Sequence, residues 1–293
     1  MEFSRTRRSL PLLLALFVAL LASACSWVSL GYGNAPTLLS WRAAAYFDLD
    51  TGQRQELRSR LQTVHEWHRA ERLAELVAIV AEVQARIDRK LSIDDGDWLV
   101  EVLLAHYRGV VERAIDESAD LLGTVRADQI AALERRLDEE NAEFADKWID
   151  PPAGRVRMAR FKRILGHAED WLGRLDPSQR RWLQARLDTI PADYRAWHAY
   201  RRQRAAEFVA LIATPGPALR KVAAVPVDRA ALRRFALERD VRRSQAEQAA
   251  AEDVRRAYIR LAVELINDAA PEQREHLRRR LEGYATGLAS QLQ

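Results

Sequence analysis

Apolar residues recur at steps of three and four along most of the chain, with polar residues between them. The pattern is clearest between residues 50 and 90, where its apolar positions are Leu57, Leu61, Val64, Leu73, Leu76, Val80, Val83 and Ile87. This spacing places side chains on one face of an α-helix. No stretch shows the sustained alternation that is typical of a strand. The pattern therefore predicts an all-α fold, either a multi-helix bundle or an irregular helical array.

Turn-forming residues divide the pattern into separate helices, and the strongest break is the segment Asp150–Gly154. The predicted helices span 38–47, 50–90, 98–122, 126–148, 155–172, 177–187, 191–212, 228–267 and 271–290. The acidic run Asp94–Asp97 is expected to interrupt the second helix and to cap the third. We therefore treat 37–293 as a helical domain with a candidate subdivision at 150–154.

The N-terminus differs abruptly from the rest of the chain. Three arginines occur in the first eight residues, the unbroken apolar run 12–21 follows, and the small residues Ala22–Ala24 precede Cys25. This layout is typical of a signal peptide, which predicts that residues 1–24 are removed. Ten apolar residues span about 15 Å as a helix, which is about half of a bilayer core.

Cys25 is the only cysteine in the chain. The segment Leu21–Cys25 resembles a bacterial lipobox, and the resemblance implies that the Cys25 thiol carries a diacylglyceryl group and palmitate. Ser26 implies delivery to the outer membrane, facing the periplasm. Residues 25–36 then form the lipidated cysteine and a flexible tether rich in glycine. The alternative is an ordinary signal peptide with a chance cysteine.

Charge and composition narrow the functional classes. The chain has 46 basic and 42 acidic side chains, and neither sign is clustered as nucleic-acid binding requires. With its only cysteine at the predicted cleavage site, the mature domain has neither a disulfide nor a cysteine metal site. We find no nucleophile elbow, phosphate-binding loop or dinucleotide fingerprint, so we expect no enzymatic activity and no cofactor.

Four segments share a glutamine that is followed by leucine four residues later. These pairs are Gln53 and Leu57, Gln129 and Leu133, Gln179 and Leu183, and Gln273 and Leu277. In the first and third copies, Asp50 and Asp176 stand three residues before the glutamine. That spacing predicts a capping box at the start of a helix.

These segments resemble the Leu-Thr-x-x-Gln motif of Spy-type periplasmic chaperones, small helical proteins in which the motif begins the helices of a client-shielding cradle. The chain as a whole resembles a family of uncharacterised proteobacterial lipoproteins. That likeness rests on the lipobox and on the segments 46–49, 65–69 and 171–179. The second resemblance implies no particular activity.

His65 and His68 stand three residues apart on one predicted helix, a spacing that suits two metal ligands. No third ligand is evident, and His106 is expected to stand without a partner. The alternative interpretation is that both histidines pack into a helix interface, and we favour it over a metal site.

Together these features predict a lipid-anchored, non-catalytic periplasmic protein that binds polypeptides as a chaperone-like or envelope-maintenance factor. Its expected partners are the membrane, through the lipid on Cys25, and other envelope proteins or unfolded polypeptides, but not nucleic acid. A structural adaptor of an envelope complex is the alternative, and a metal-binding or enzymatic protein is the least favoured hypothesis.

Overall fold

A computed structural model describes residues 31–214, 227–238 and 244–292. The predicted signal peptide and Cys25 lie outside these residues. In the described ranges all regular structure is helical, which confirms the all-α prediction. The helices are α1 (Ala35–Phe47), α2 (Thr51–Trp67), α3 (Leu73–Ile87), α4 (Ile93–Leu122), α5 (Ala127–Trp148), α6 (Ala153–Leu172), α7 (Pro177–Thr189), α8 (Tyr194–Ala213), α9 (Arg229–Leu237), α10 (Gln245–Asn267) and α11 (Pro271–Ala289).

The helical pattern is interrupted at 88–92, just before the acidic run, and the run at 94–97 lies at the start of α4. Ser92 is the N-cap: its side chain accepts the Asp95 backbone N–H, and the Asp95 carboxylate accepts the Ser92 N–H. Asp95 is buried and also accepts hydrogen bonds from Arg86 and Arg89. The prediction that an acidic residue is the N-cap is wrong, because Ser92 occupies that position and Asp95 completes the capping box from the third helical position.

The predicted helix 228–267 is also wrong, since it is two helices. α9 ends at Leu237, and Ser244 starts α10 with a capping box that is completed by Glu247. The Ser244 hydroxyl accepts the Glu247 N–H, and the Glu247 carboxylate accepts the Ser244 N–H. This start signal begins a new helix at Gln245.

The helices form two halves, and the chain passes repeatedly between them. The first half contains α1, α2, α5, α8 and α9, and the second contains α3, α6, α7, α10 and α11. α4 contacts α9 in the first half and α10 in the second; its 30 residues correspond to about 45 Å. The Asp150–Gly154 break lies between α5 and α6, but α8 and α9 return to the first half. The halves are therefore interleaved in sequence.

α2, the π-helical turn His68–Arg72 and α3 form one continuous helical rod. This rod packs against α4. The backbone of the π-helical turn is widened because the Leu73 N–H bonds the His68 carbonyl, five residues back. The rod and α4 are connected by a short loop and together span both halves.

Gly96 sets the closest approach of α4 to α10. A Cβ at this position would collide with the side chain of Ile259 on α10. We predict that Gly96→Ala destabilises the fold by about 1–3 kcal/mol, because the core is already packed.

Gly154 in the first turn of α6 is the matched control, since a Cβ there meets nothing within 4 Å. Gly154→Ala should leave the free energy of unfolding unchanged or raise it slightly. Urea unfolding of both variants measures the difference. Equal stability of the two variants would contradict the close packing.

Candidate functional site

The first two glutamines of the repeated motif bind each other. Gln53 Nε2 donates to Gln129 Oε1 at 3.0 Å, and Gln129 Nε2 donates to Gln53 Oε1 at 2.6 Å. Each amide also donates to a backbone carbonyl before the partner helix, Gln53 to Thr124 and Gln129 to Asp48, both at 3.2 Å. The pair therefore joins the starts of α2 and α5.

The other two glutamines repeat this arrangement in the second half. Gln179 and Gln273 exchange hydrogen bonds of 2.8 and 2.9 Å between their amides. Gln179 also donates to the Asp268 carbonyl at 3.5 Å, and Gln273 donates to the Arg174 carbonyl at 2.9 Å. This pair joins the starts of α7 and α11 with the same reciprocal geometry.

Each glutamine oxygen also accepts the backbone N–H of its own N-cap residue, three positions earlier. The capping-box prediction for the copies at Asp50 and Asp176 is confirmed, since both carboxylates accept N–H groups of the first turn. In the other copies Arg126 and Ala270 occupy the N-cap, so only the glutamine half of the box forms.

The leucines of the motif separate into two groups. Leu133, Leu183 and Leu277 are buried in the hydrophobic clusters. Leu57 is only half-buried, because it lines a cavity in the first half of the molecule. The motif thus joins helix starts, and its first copy also contributes Gln53 and Leu57 to the wall of this cavity.

This cavity has a volume of about 320 Å³. α1, α2, α4, α8, α9 and the 121–125 segment surround it, and its large apolar contacts are Phe47, Leu57, Leu61, Ile115, Phe208 and Leu232. Alanines at 43, 114 and 119 face the same space, and their small side chains leave it unfilled. The cavity is a candidate binding site for an apolar ligand.

The polar groups of the cavity wall are few and mostly engaged. Gln53 is held by Gln129, and the Thr124 hydroxyl donates to the Leu121 carbonyl. The Ser118 hydroxyl is buried and has no hydrogen-bond partner among the described residues. No lining residue carries a formal charge. The surface that the wall presents to a ligand is therefore almost entirely apolar.

A second cluster lies at the π-helical turn. His68 Nε2 lies 2.9 Å from His106 Nε2, and the Tyr32 hydroxyl lies 2.7 Å from His68 Nδ1. His106 Nδ1 is 3.4 Å from a Glu75 oxygen, which also pairs with Arg72 at 2.8 Å. One assignment of protons satisfies the chain: Tyr32 donates to His68, His68 donates to His106, and His106 donates to Glu75.

The expectation that His106 lacks a partner is wrong, because α4 places it directly against His68. Burial lowers the pKa of His68 to about 4, and the nearby His106, His65 and Arg72 lower it as well. Glu75 acts in the opposite direction. Burial raises the pKa of Tyr32 to about 12. Both groups are therefore neutral near pH 7, as a chain of neutral hydrogen bonds requires.

His65 does not join His68 as a ligand pair. Its ring lies 4.6 Å from the Tyr32 ring, while His68 turns toward α4. Within residues 31–214, 227–238 and 244–292, no group of three His, Cys, Asp or Glu side chains is placed to hold a metal ion. Both histidines instead contact Tyr32, which precedes α1, and hold it against the π-helical turn of the rod.

The chain belongs to a protein family of unknown function, DUF6279, whose model matches residues 45–225. The matched segment contains the first glutamine pair, the histidine pair and most of the cavity wall. Comparisons with curated proteins and with solved structures gave no match. Among the described helices, none has the length and hydropathy that crossing a membrane requires.

We predict that Gln129→Met destabilises the protein by about 2–4 kcal/mol. The substitution keeps the volume but removes both hydrogen bonds between Gln53 and Gln129, and it removes the Gln129 partner of the Asp48 carbonyl and of the Arg126 N–H. Gln55→Met is the control, since Gln55 is exposed on α2 and its side chain makes no hydrogen bond among the described residues. The control should change stability by less than about 0.5 kcal/mol. Similar urea midpoints for both variants would argue against the pairing.

We also predict a pH dependence that originates at His68. Its pKa is lower in the folded chain than in the unfolded chain, so the unfolded state binds protons more readily. The stabilising contribution is complete above about pH 6.5 and is lost as the pH falls toward about 4. Protonation also removes the acceptor of the Tyr32 hydroxyl.

Unfolding free energies of the wild type and His68→Gln across this pH range provide the measurement. The wild type should lose about 2 kcal/mol more than the variant between those limits, because glutamine does not titrate. Parallel pH profiles would show that His68 does not titrate in this way.

Proposed function

We propose that this protein is a lipid-anchored, non-catalytic binding protein of the bacterial envelope whose helical domain holds a hydrocarbon chain in the cavity beside α2. The anchor rests on the lipobox-like segment that ends at Cys25. The single observation that supports the binding role is the unfilled apolar cavity of about 320 Å³. Concave, mostly apolar clefts of a few hundred Å³ are the usual sites of small-ligand binding.

The size of the cavity suits a medium-length acyl chain. Cavities of about 150 Å³ lined by leucine, isoleucine and phenylalanine bind benzene, which corresponds to about 25 Å³ per carbon atom. On that scale the volume of about 320 Å³ accommodates about twelve carbon atoms. Each methylene that leaves water contributes about 0.8 kcal/mol, so about twelve carbon atoms contribute about 10 kcal/mol. After an association cost of about 4 kcal/mol, the expected dissociation constant is on the order of 0.1 mM.

The chemistry of the wall favours hydrocarbon over a peptide backbone. Every residue of an inserted peptide brings an N–H and a C=O that need partners. Among the described residues of the wall, the only unpaired buried hydroxyl is that of Ser118, and its oxygen is not exposed to the cavity. A hydrocarbon tail needs no such partner.

Polypeptide binding is a second candidate, and a different surface supports it. Leu103, Leu104 and Tyr107 are exposed side by side on α4, with exposed fractions of 42%, 45% and 42%. Residues three and four apart share one helix face, so this patch can hold an apolar segment of another chain. The glutamine–leucine motifs do not supply such a surface, because three of their leucines and three of their glutamines are buried.

We predict that laurate displaces a polarity-sensitive fluorescent fatty acid from the chain that starts at Ser26, which retains every described helix. Ala114→Leu fills part of the cavity from α4 and should weaken laurate binding at least tenfold, since about three added carbon atoms compete for the space. Ala105→Leu is the matched control, because Ala105 is exposed on the same helix and does not line the cavity.

Laurate binding by wild type and control with similar affinities, and at least tenfold weaker binding by Ala114→Leu, is the expected result. Failure of the wild type to bind laurate would overturn the cavity proposal. Suppression of aggregation of an unfolding test protein, lost in Leu104→Ser, would then favour the polypeptide-binding candidate.

A further inference from the structure

α1 has two distinct faces. Pro36 and Ser40 are buried, and Ala43 and Phe47 face the cavity. These four positions follow the spacing of one helix face. The opposite face consists of Leu38, Leu39, Trp41, Arg42 and Ala45, all of which are exposed. The outer face of α1 is therefore apolar where a solvated helix would be polar.

The exposure of this face is unusual for the molecule. Trp41 is 70% exposed, Leu38 is 53% exposed and Leu39 is 52% exposed. These are the highest values among the large hydrophobic side chains of the described residues. A contiguous exposed apolar patch commonly marks an interaction surface.

The charge on this face indicates the chemistry of its partner. Arg42 is its only charged residue, and the face carries no carboxylate. The Arg42 guanidinium lies over the Tyr46 ring and donates to the Tyr46 hydroxyl at 3.4 Å. An apolar helix face with a tryptophan and an arginine suits the boundary between acyl chains and anionic headgroups.

The position of α1 in the chain favours the same partner. α1 begins at Ala35, ten residues after Cys25, and the apolar run 12–21 precedes both. Ten extended residues reach at most about 35 Å. Any membrane attachment at or before Cys25 therefore keeps α1 close to the lipid surface, where its apolar face is within reach.

We propose that the outer face of α1 lies on the lipid surface, with Leu38, Leu39 and Trp41 at the boundary of the acyl chains and Arg42 at the headgroup phosphates. This inference rests on the proposed N-terminal anchor, but not on the ligand of the cavity. A helix is about 10 Å across, so docking would also place the cavity about one helix diameter from the lipid.

The test uses the full chain in vesicles of phosphatidylcholine and phosphatidylglycerol. A nitroxide label is attached through Leu39→Cys on the outer face of α1 or through Met158→Cys, an exposed position on α6 in the second half. The depth of each label in the membrane is measured from its collisions with two reagents. Oxygen concentrates in lipid, and a nickel chelate stays in water. The parent protein, treated in parallel, measures any labelling at Cys25.

We expect the label at position 39 to collide mainly with oxygen and the label at position 158 to collide mainly with the chelate. Arg42→Glu should shift the label at position 39 toward water, because it places a carboxylate at the phosphates. Equal chelate access at both positions in vesicle-bound protein would overturn the docking of α1. Protein that does not float with the vesicles would instead overturn the anchor, and neither result affects laurate binding in solution.

Discussion

The reciprocal hydrogen bonds between paired glutamines are the constraint on which both halves depend. Each pair joins helix starts that lie far apart in sequence, by 76 residues in the first half and 94 in the second. Each amide donates to its partner and to a carbonyl before the partner helix, while its oxygen accepts the N–H of its own cap. A buried amide that lacks these partners costs about 1–3 kcal/mol, so the arrangement strongly favours one register of the helices.

The first glutamine pair also borders the candidate binding cavity. Gln53 lines the cavity, and its pairing with Gln129 fixes α2 against α5. The second half has the same reciprocal pairing of glutamines. There the motif leucines, Leu183 and Leu277, are buried in the core. The two halves thus share the same glutamine pairing, but a cavity lies beside the pair in the first half and packed leucines lie beside it in the second.

α1 connects the two proposals, since one of its faces lines the cavity and the other is apolar and exposed. Tyr32, three residues before α1, is fastened to the middle of the rod by His68. The N-terminal end of the described domain is thereby held against the rod.

The sequence alone determined the helical class, most helix boundaries and the capping role of Asp50 and Asp176, because these follow from local spacing and from contacts within one turn. It located the glutamines but did not reveal that Gln53 pairs with Gln129 or Gln179 with Gln273. It treated His106 as isolated, and it joined α9 to α10 because both are amphipathic. The pairings, the cavity and the exposed face of α1 were decided only by the tertiary structure. Each depends on which residues meet across separate helices, and packing determines that independently of their separation along the chain.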